Sequence, residues 1–141
     1  MNHIKRARIP VSTILNVYCI MLRPIIEFCN VIYHPMLTLD QNKRIEHLQK
    51  TGLRIIYGFG YNYDELLGKA GVRSLEDRRK DAFKKYAISL TKNTRYSHWF
   101  PLNEENGRLR NTKTYREDFA RTDRLYRSPI YSMRRILNDE L

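Results

Sequence analysis

The 141-residue sequence is poor in the residues and patterns that build catalytic centres. It has two cysteines, without the short spacing of a zinc site, and its four histidines lie far apart along the chain. The glycine patterns of phosphate loops and dinucleotide-binding folds are absent, as is the Gly-x-Ser-x-Gly elbow of hydrolases. We therefore predict no catalytic residues, no metal and no cofactor, so that the chain is not itself an enzyme.

Cysteine is too scarce for a disulfide framework. Cys19 and Cys29 lie in one apolar segment, where about ten helical residues would separate their α-carbons by roughly 15 Å, too far for a disulfide. We expect both thiols to be free and buried, which suits a reducing intracellular compartment, cytoplasmic or nuclear.

Long apolar runs are also missing. The stretch from Val11 to Leu22 follows a basic start, as in a signal peptide, but polar residues interrupt it and Arg23-Pro24 ends it. No segment reaches the roughly 18 to 20 apolar residues that cross a bilayer. We therefore expect no membrane partner.

Acidic residues are outnumbered by basic ones. The chain has 26 Lys and Arg against 15 Asp and Glu, which gives a net charge of +11 and a pI near 9.9. RNA or DNA is the favoured partner, because each neutralised phosphate releases counterions. An anionic membrane or an acidic protein would attract the same charge.

What is present is helical periodicity, which predicts an all-α fold, a small bundle of about four to six helices. The clearest helix spans residues 39–57, with a capping box at Thr38 and Gln41 and a left-handed cap at Gly58. Its apolar stripe is predicted to comprise Ile45, Leu48, Gly52, Ile55 and Ile56.

The other helices are marked by their end signals. Helical spacing begins near Ser12, and Pro24 either kinks one long helix or opens a second that Pro35 stops. Residues 63–70 should form a short helix between Asn62 and Gly71. A helix from Ser74 to about residue 92 carries Arg79 within its apolar face, so that Arg79 must snorkel or pair with a carboxylate.

After residue 93 the helical periodicity stops. We predict a helical bundle over residues 1–93, followed by a loop-rich basic segment over residues 94–141 that is extended, rich in arginine and packed on the same single domain. A short last helix should begin at Ser128-Pro129. The aromatic cluster at residues 96–101 could stack on unpaired bases, but a role in covering the core is favoured.

Two basic constellations are candidates for nucleic-acid binding. Lys43, His47, Lys50 and Arg54 recur at i, i+4, i+7 and i+11, opposite the predicted apolar stripe, and form a basic ridge that could follow a phosphate backbone. A solvated helix face is the alternative. Seven basic residues of the later segment are interleaved with aromatic and acidic ones, and fit either nucleic-acid contact or a salt-bridged scaffold: Arg108, Arg110, Lys113, Arg116, Arg121, Arg124 and Arg127.

Several short motifs, in this order and spacing, resemble the region after the polymerase in non-LTR, jockey-like retrotransposon reverse transcriptases. They are Arg23-Pro24 with Glu27, Tyr33-His34-Pro35, Ile45-Glu46, Leu48-Gln49-Lys50, Leu53-Arg54-Ile55-Ile56 with Gly58, residues 74–79, residues 97–101, and Ser128-Pro129-Ile130. Tyr33 stands where the family usually has Trp.

The resemblance implies a fragment from the helical thumb or just beyond it, where the family holds template and primer. The Tyr-x-Asp-Asp turn of the polymerase and the endonuclease are absent. We therefore expect a non-catalytic fragment that assists nucleic-acid binding. The alternatives are a structural or protein-interaction module that packs on an upstream polymerase domain, and a decayed remnant of the element without function.

Overall fold

A computed structural model of the protein describes residues 9–103 and 113–139. The fold is mostly helical, which confirms the predicted all-α class. Within the described residues the α-helices are α1 Val11–Val17, α2 Arg23–Ile26, α3 Asn30–Tyr33, α4 Leu39–Tyr57, α5 Tyr63–Ala70, α6 Leu75–Thr91, α7 Asp123–Tyr126 and α8 Pro129–Asp139. A π-helical turn, Tyr18–Leu22, joins α1 to α2, and His34–Met36 and Thr94–Trp99 are 3₁₀ helices.

The chain divides into two compact units. Unit 1 comprises the described residues up to Phe28 together with Thr38–Arg79, and unit 2 comprises Cys29–Leu37 with the described residues from Lys80 onward. The division therefore falls inside α6, whereas the sequence suggested a boundary at residue 93. That both parts form one domain stays a prediction.

The predicted helix start signals are confirmed at α4 and α5. Thr38 Oγ1 accepts from the Gln41 N–H at 3.2 Å, and Gln41 Oε1 accepts from the Thr38 N–H at 2.9 Å. Asn62 and Glu65 make the same reciprocal pair at the start of α5. These bonds satisfy amides that have no partner inside a helix, and so fix where each helix begins.

Helical backbone runs without a break from Val11 to Ile26, so Pro24 lies within one long helical segment and does not open a second one. The Arg23 N–H donates to the Tyr18 carbonyl, five residues back. This π-helical turn comes just before Pro24. In an ordinary α-helix the proline ring would clash with the carbonyl of the residue four positions earlier. The helical segment ends after α2, and Cys29, just before α3, has a left-handed backbone conformation with φ 53°.

Three local predictions are wrong. Gly58 has a positive φ of 110°, but its ψ of 169° is extended, so the cap of α4 is not left-handed, unlike that at Gly71. Cys29 is exposed and Cys19 half-buried, although both are free as predicted. The segment after residue 93 is not simply extended, because it contains the 3₁₀ helix, α7 and an antiparallel bridge between Leu102 and Tyr115.

The buried face of α4 differs from the predicted stripe. Gln49 and Leu53 are fully buried, whereas Leu48 is 55% exposed. Gln49 can be buried because its polar atoms are used: Oε1 accepts from the Tyr18 hydroxyl at 3.1 Å, and Nε2 donates to the Arg73 carbonyl at 2.9 Å. Burial raises the pKa of Tyr18 to about 12, so Tyr18 remains a donor. The core of unit 1 comprises Ile14, Tyr18, Leu53, Ile56 and Leu66.

The aromatic cluster covers the core of unit 2, as favoured. Phe100 is buried, and Tyr96 and Trp99 pack against the same core with their ring centroids 4.8 Å apart. The remaining buried members come from α6 and α8: Phe83, Ala87, Leu90, Met133 and Leu137. The loop cluster therefore has a structural role in this unit.

Two glycines of unit 1 should respond oppositely to alanine. A Cβ at Gly52 would lie 3.1 Å from the buried Tyr18 ring, whereas one at Gly68 would meet nothing within 4 Å. We expect Gly52→Ala to lower the free energy of unfolding by about 1 kcal/mol, because overpacking outweighs the gain in helix propensity. Gly68→Ala should raise it by about 0.5–1 kcal/mol. Urea unfolding measures both, and equal shifts would contradict the packing seen around Tyr18.

Candidate nucleic-acid interface

The basic ridge predicted on α4 is present in unit 1. Lys43 and His47 are exposed, and Lys50 and Arg54 are half-buried. Successive members are three or four residues apart, so they lie on one side of the helix. None forms an ion pair with any residue in the described ranges.

Three of the ridge residues line an open groove of about 430 Å³ in unit 1. Its walls come from α4, from the start of α5 and from the first turn of α6. The lining residues are Leu39, Asn42, Lys43, Glu46, His47, Lys50, Tyr63 and Glu76. Arg54 is not among them, and its Nε atom is covered without a hydrogen-bond partner in the part of the chain described. The structure therefore brings together Lys43, His47 and Lys50 but not the fourth member.

Glu46 organises the floor of this groove. Its carboxylate accepts from the Tyr63 hydroxyl at 2.5 Å and from two backbone amides of α6, those of Leu75 at 3.3 Å and Glu76 at 2.5 Å. A carboxylate at this place accepts hydrogen bonds from amides of the first helical turn, which have no partner inside the helix. It also interacts favourably with the positive end of the helix dipole. Burial, and then the bond to Glu46, raise the pKa of Tyr63, so that Tyr63 remains protonated and donates.

Arg79 lies within the same network, with its side chain fully buried. Its Nη2 is 3.5 Å from Glu46 Oε1 and donates to Asn42 Oδ1 at 3.0 Å. Of the two sequence-based alternatives, pairing with a carboxylate is thus confirmed and snorkelling is excluded. The Nε and Nη1 atoms have no protein partner among the described residues. The sequence flagged Arg79 but gave no sign that Glu46 was its partner.

This network determines the sign of charge that the groove presents. The Glu46 carboxylate is compensated by Arg79 and by helix amides. The ammonium groups of Lys43 and Lys50 have no such compensation. Counted formally with His47 neutral, Lys43, Lys50 and Arg79 stand against Glu46 and Glu76, which leaves one net positive charge at the groove.

The basic residues after residue 93 in unit 2 fall into two groups. Some form the ion pairs expected of a salt-bridged scaffold, and for the others nucleic-acid contact stays a prediction. Half of the Lys and Arg side chains in the described part of this segment, four of eight, form local ion pairs: Lys113 with Glu117, Arg116 and Arg134 with Asp118, and Arg127 with Asp123. Arg121 and Arg124 are exposed and form no ion pair with described residues. The predicted Arg108 and Arg110 lie outside the described residues.

Arg134 shows how this scaffold is built. It is buried, donates from Nε to the Trp99 carbonyl at 2.7 Å, and donates from Nη1 to Asp118 Oδ2 at 3.0 Å. The bond from Arg134 lowers the pKa of the Asp118 carboxyl. Arg134 therefore ties α8 to the aromatic segment.

The described residues contain neither a metal-binding cluster nor a single membrane-spanning helix near these sites. In residues 9–103 and 113–139, no three His, Cys, Asp or Glu side chains are grouped so as to hold a metal ion. No single helix there is long and apolar enough to cross a membrane, although Val11–Ile26 and Asn30–Met36 together, as a bent pair, meet that length and composition. Comparison with protein-family models, curated proteins and solved structures gave no match.

The buried pair gives a stability prediction. Glu46→Gln should lower the free energy of unfolding by about 3 kcal/mol, because it leaves the Arg79 guanidinium buried without a counter-charge. Asp40→Asn, which removes the exposed partner of Arg44 at 2.8 Å, should cost less than about 0.5 kcal/mol.

A double-mutant cycle tests the interaction directly. It adds denaturant unfolding of Arg79→Met and of the double variant Glu46→Gln/Arg79→Met to that of Glu46→Gln. We expect the double variant to be more stable than Glu46→Gln alone, since it removes the unpaired charge. Additive losses in the double variant would show that the two side chains do not interact.

Proposed function

We propose that this chain is a non-catalytic nucleic-acid-binding module, and that the groove lined by Lys43, His47 and Lys50 is its primary contact. One observation carries the proposal: these three basic side chains converge on a single open groove and have no ion-pair partner among the described residues. Cations of a structural network are usually paired, as those around Asp118 are. Unpaired cations in a groove are suited to phosphate.

The geometry suits the backbone of a nucleic acid better than the edges of its bases. Lys43 and Lys50 are two turns apart on α4, about 10 Å at 1.5 Å per residue, and could contact different phosphates of one strand. Lysine binds phosphate as a point charge and does not read sequence. Binding through this groove should therefore be strong in low salt and tolerant of sequence.

The second candidate surface includes the exposed Arg121 and Arg124. The predicted Arg108 and Arg110 lie outside the described residues. An exposed arginine without an ion pair can form two parallel hydrogen bonds with one phosphate. We assign this surface an auxiliary role, because its cations alternate with acidic residues that reduce the local potential. Lys43 and Lys50 should therefore account for more of the affinity.

The resemblance to jockey-like reverse transcriptases supports the same function. In that family the region after the polymerase follows a thumb that holds template and primer. We propose that the chain is such a post-polymerase fragment and acts together with an upstream polymerase domain. Glu46, Leu48 and Arg54 lie in its motifs, so part of the resemblance falls on α4.

The nucleic-acid proposal is tested by filter binding of structured RNA and duplex DNA over a salt series. The variant Lys43→Ala/Lys50→Ala should weaken binding and reduce the slope of log K against log salt by about 1.8, which is twice the ~0.9 expected per phosphate contact on duplex DNA. The matched control is Lys85→Ala/Lys92→Ala, which removes the same charge at exposed positions of unit 2.

We expect the control to change the slope much less than the groove variant does. Equal slopes in the two double variants would mean that net charge rather than the groove determines binding. A wild-type affinity independent of salt, or no binding in low salt, would refute the proposal.

The evolutionary half of the proposal has its own test. The genomic segment immediately upstream of Met1 should encode, in the same frame, a polymerase with a Tyr-x-Asp-Asp turn or its recognisable remains. An unrelated upstream sequence, with its own promoter ahead of Met1, would contradict a fragment origin while leaving nucleic-acid binding open to the test above.

A further inference from the structure

A second groove lies in unit 1 on the other side of His47. It has a volume of about 540 Å³ and is bounded by α4 on one side and by the π-helical turn and α2 on the other. The lining residues are Tyr18, Leu22, Ile25, Ile26, His47, Leu48, Thr51, Gly52 and Ile55. His47 alone is shared with the first groove.

The walls of this second groove are apolar and open to solvent. Ile25 is 73% exposed and Leu48 is 55% exposed, one on each wall, and Leu22, on the same wall as Ile25, is also exposed. Ile20 and Met21, which are next to Leu22 in sequence, are also exposed. Single exposed apolar residues are ordinary, but a continuous apolar trough of this kind is typical of a binding surface.

Two lysines border the trough next to its shared residue His47, although they line the first groove and not this one. Lys43 and Lys50 lie one turn to either side of His47 on α4 and have no ion pair in the described residues. No acidic side chain of the described residues lines this trough. The nearest acidic residues along the two wall segments already have partners: Asp40 pairs with Arg44, Glu46 with Arg79, and Glu27 receives two bonds from Arg78. An apolar trough bordered by these two lysines is complementary to an apolar surface with an acidic rim.

We propose that this groove docks one amphipathic helix of a partner protein, with leucine-type side chains between Ile25 and Leu48 and acidic residues beside Lys43 and Lys50. A groove between helical segments is a common receptor for an amphipathic helix, whose anchors recur at i, i+3, i+4 and i+7. A second copy of this chain fits poorly, since each copy carries +11. The concave shape favours a helix over the flat surface of a bilayer.

The proposal does not depend on nucleic-acid binding, because the apolar lining of this groove takes no part in the phosphate contacts. Occupation of the two grooves should nevertheless be coupled. An acidic helix that neutralises Lys43 and Lys50 reduces the charge available to phosphate, so the two ligands should compete.

The test uses the full chain and a fluorescently labelled, helix-forming peptide of Leu, Glu, Gln and Ala, with leucines at i, i+3, i+4 and i+7 and glutamates on the flanks. Fluorescence anisotropy, without nucleic acid present, measures its binding. Two control peptides are a scrambled sequence of the same composition and a version with Gln in place of Glu. We expect the amphipathic acidic peptide to bind most tightly and the scrambled one at least about tenfold more weakly.

The matched variants are Ile25→Asp and Leu48→Asp on the two walls, and Phe59→Asp as control. All three residues are largely exposed, and Phe59 does not line the groove. Each wall variant should raise the dissociation constant of the acidic peptide at least about tenfold. Phe59→Asp should change that constant less than about twofold. Circular dichroism checks that each variant retains its helices.

The proposal is overturned if the peptide does not bind, if the scrambled peptide binds equally, or if the wall variants behave like the control. Sedimentation equilibrium and anionic phosphatidylserine vesicles test the other occupants. Self-association that Leu48→Asp abolishes would assign the groove to a second copy. Vesicle binding that Leu48→Asp abolishes, without peptide binding, would assign it to a membrane. Loss of peptide binding in Leu48→Gln, which adds no charge beside His47, with unchanged nucleic-acid affinity would separate this proposal from the proposed function.

Discussion

The buried charge of Arg79 is the constraint on which the organisation of unit 1 depends. A guanidinium does not lose its proton in a protein, so a fully buried one must be given a counter-charge. Glu46 provides it from α4, and the same carboxylate accepts from the first amides of α6 and from Tyr63. One carboxylate therefore fixes α4, α5 and the start of α6 together. Because these partners compensate the charge of Glu46, it opposes the lysines of the same groove only weakly.

The fold could be predicted where the signal lies within a few consecutive residues. The bounds of α4 and α5 follow from side chains that cap their own helix, as at Thr38 and Asn62, and such bonds require no knowledge of the rest of the chain. The buried face of α4 could not be predicted in the same way. It includes Gln49 because Tyr18 and the Arg73 carbonyl, both distant in sequence, satisfy its amide. Hydrophobic periodicity instead selected Leu48, which is exposed.

The candidate site shows the same division. Helical spacing placed Lys43, His47 and Lys50 on one side of a helix, and the structure shows them lining one groove. The spacing could not show that Arg54 falls outside this groove or that Tyr63 and Glu76 complete its walls, because those contacts bring together separate helices. Nor could it show that Leu48 and Ile55 border an open trough beside the basic residues. Charge and apolar surface together, more than charge alone, characterise this face of α4.

Trp99 is the only tryptophan in the chain, and it packs on the core of unit 2. Intrinsic fluorescence excited at tryptophan wavelengths is therefore a reporter of one half of the molecule. The grooves, the buried Arg79 and all of α4 belong to the other half, whose aromatic residues are tyrosines and phenylalanines. A change in unit 1 can thus escape an emission spectrum, and only the coincidence of fluorescence with a helix-sensitive signal would establish that the two units unfold in one cooperative transition.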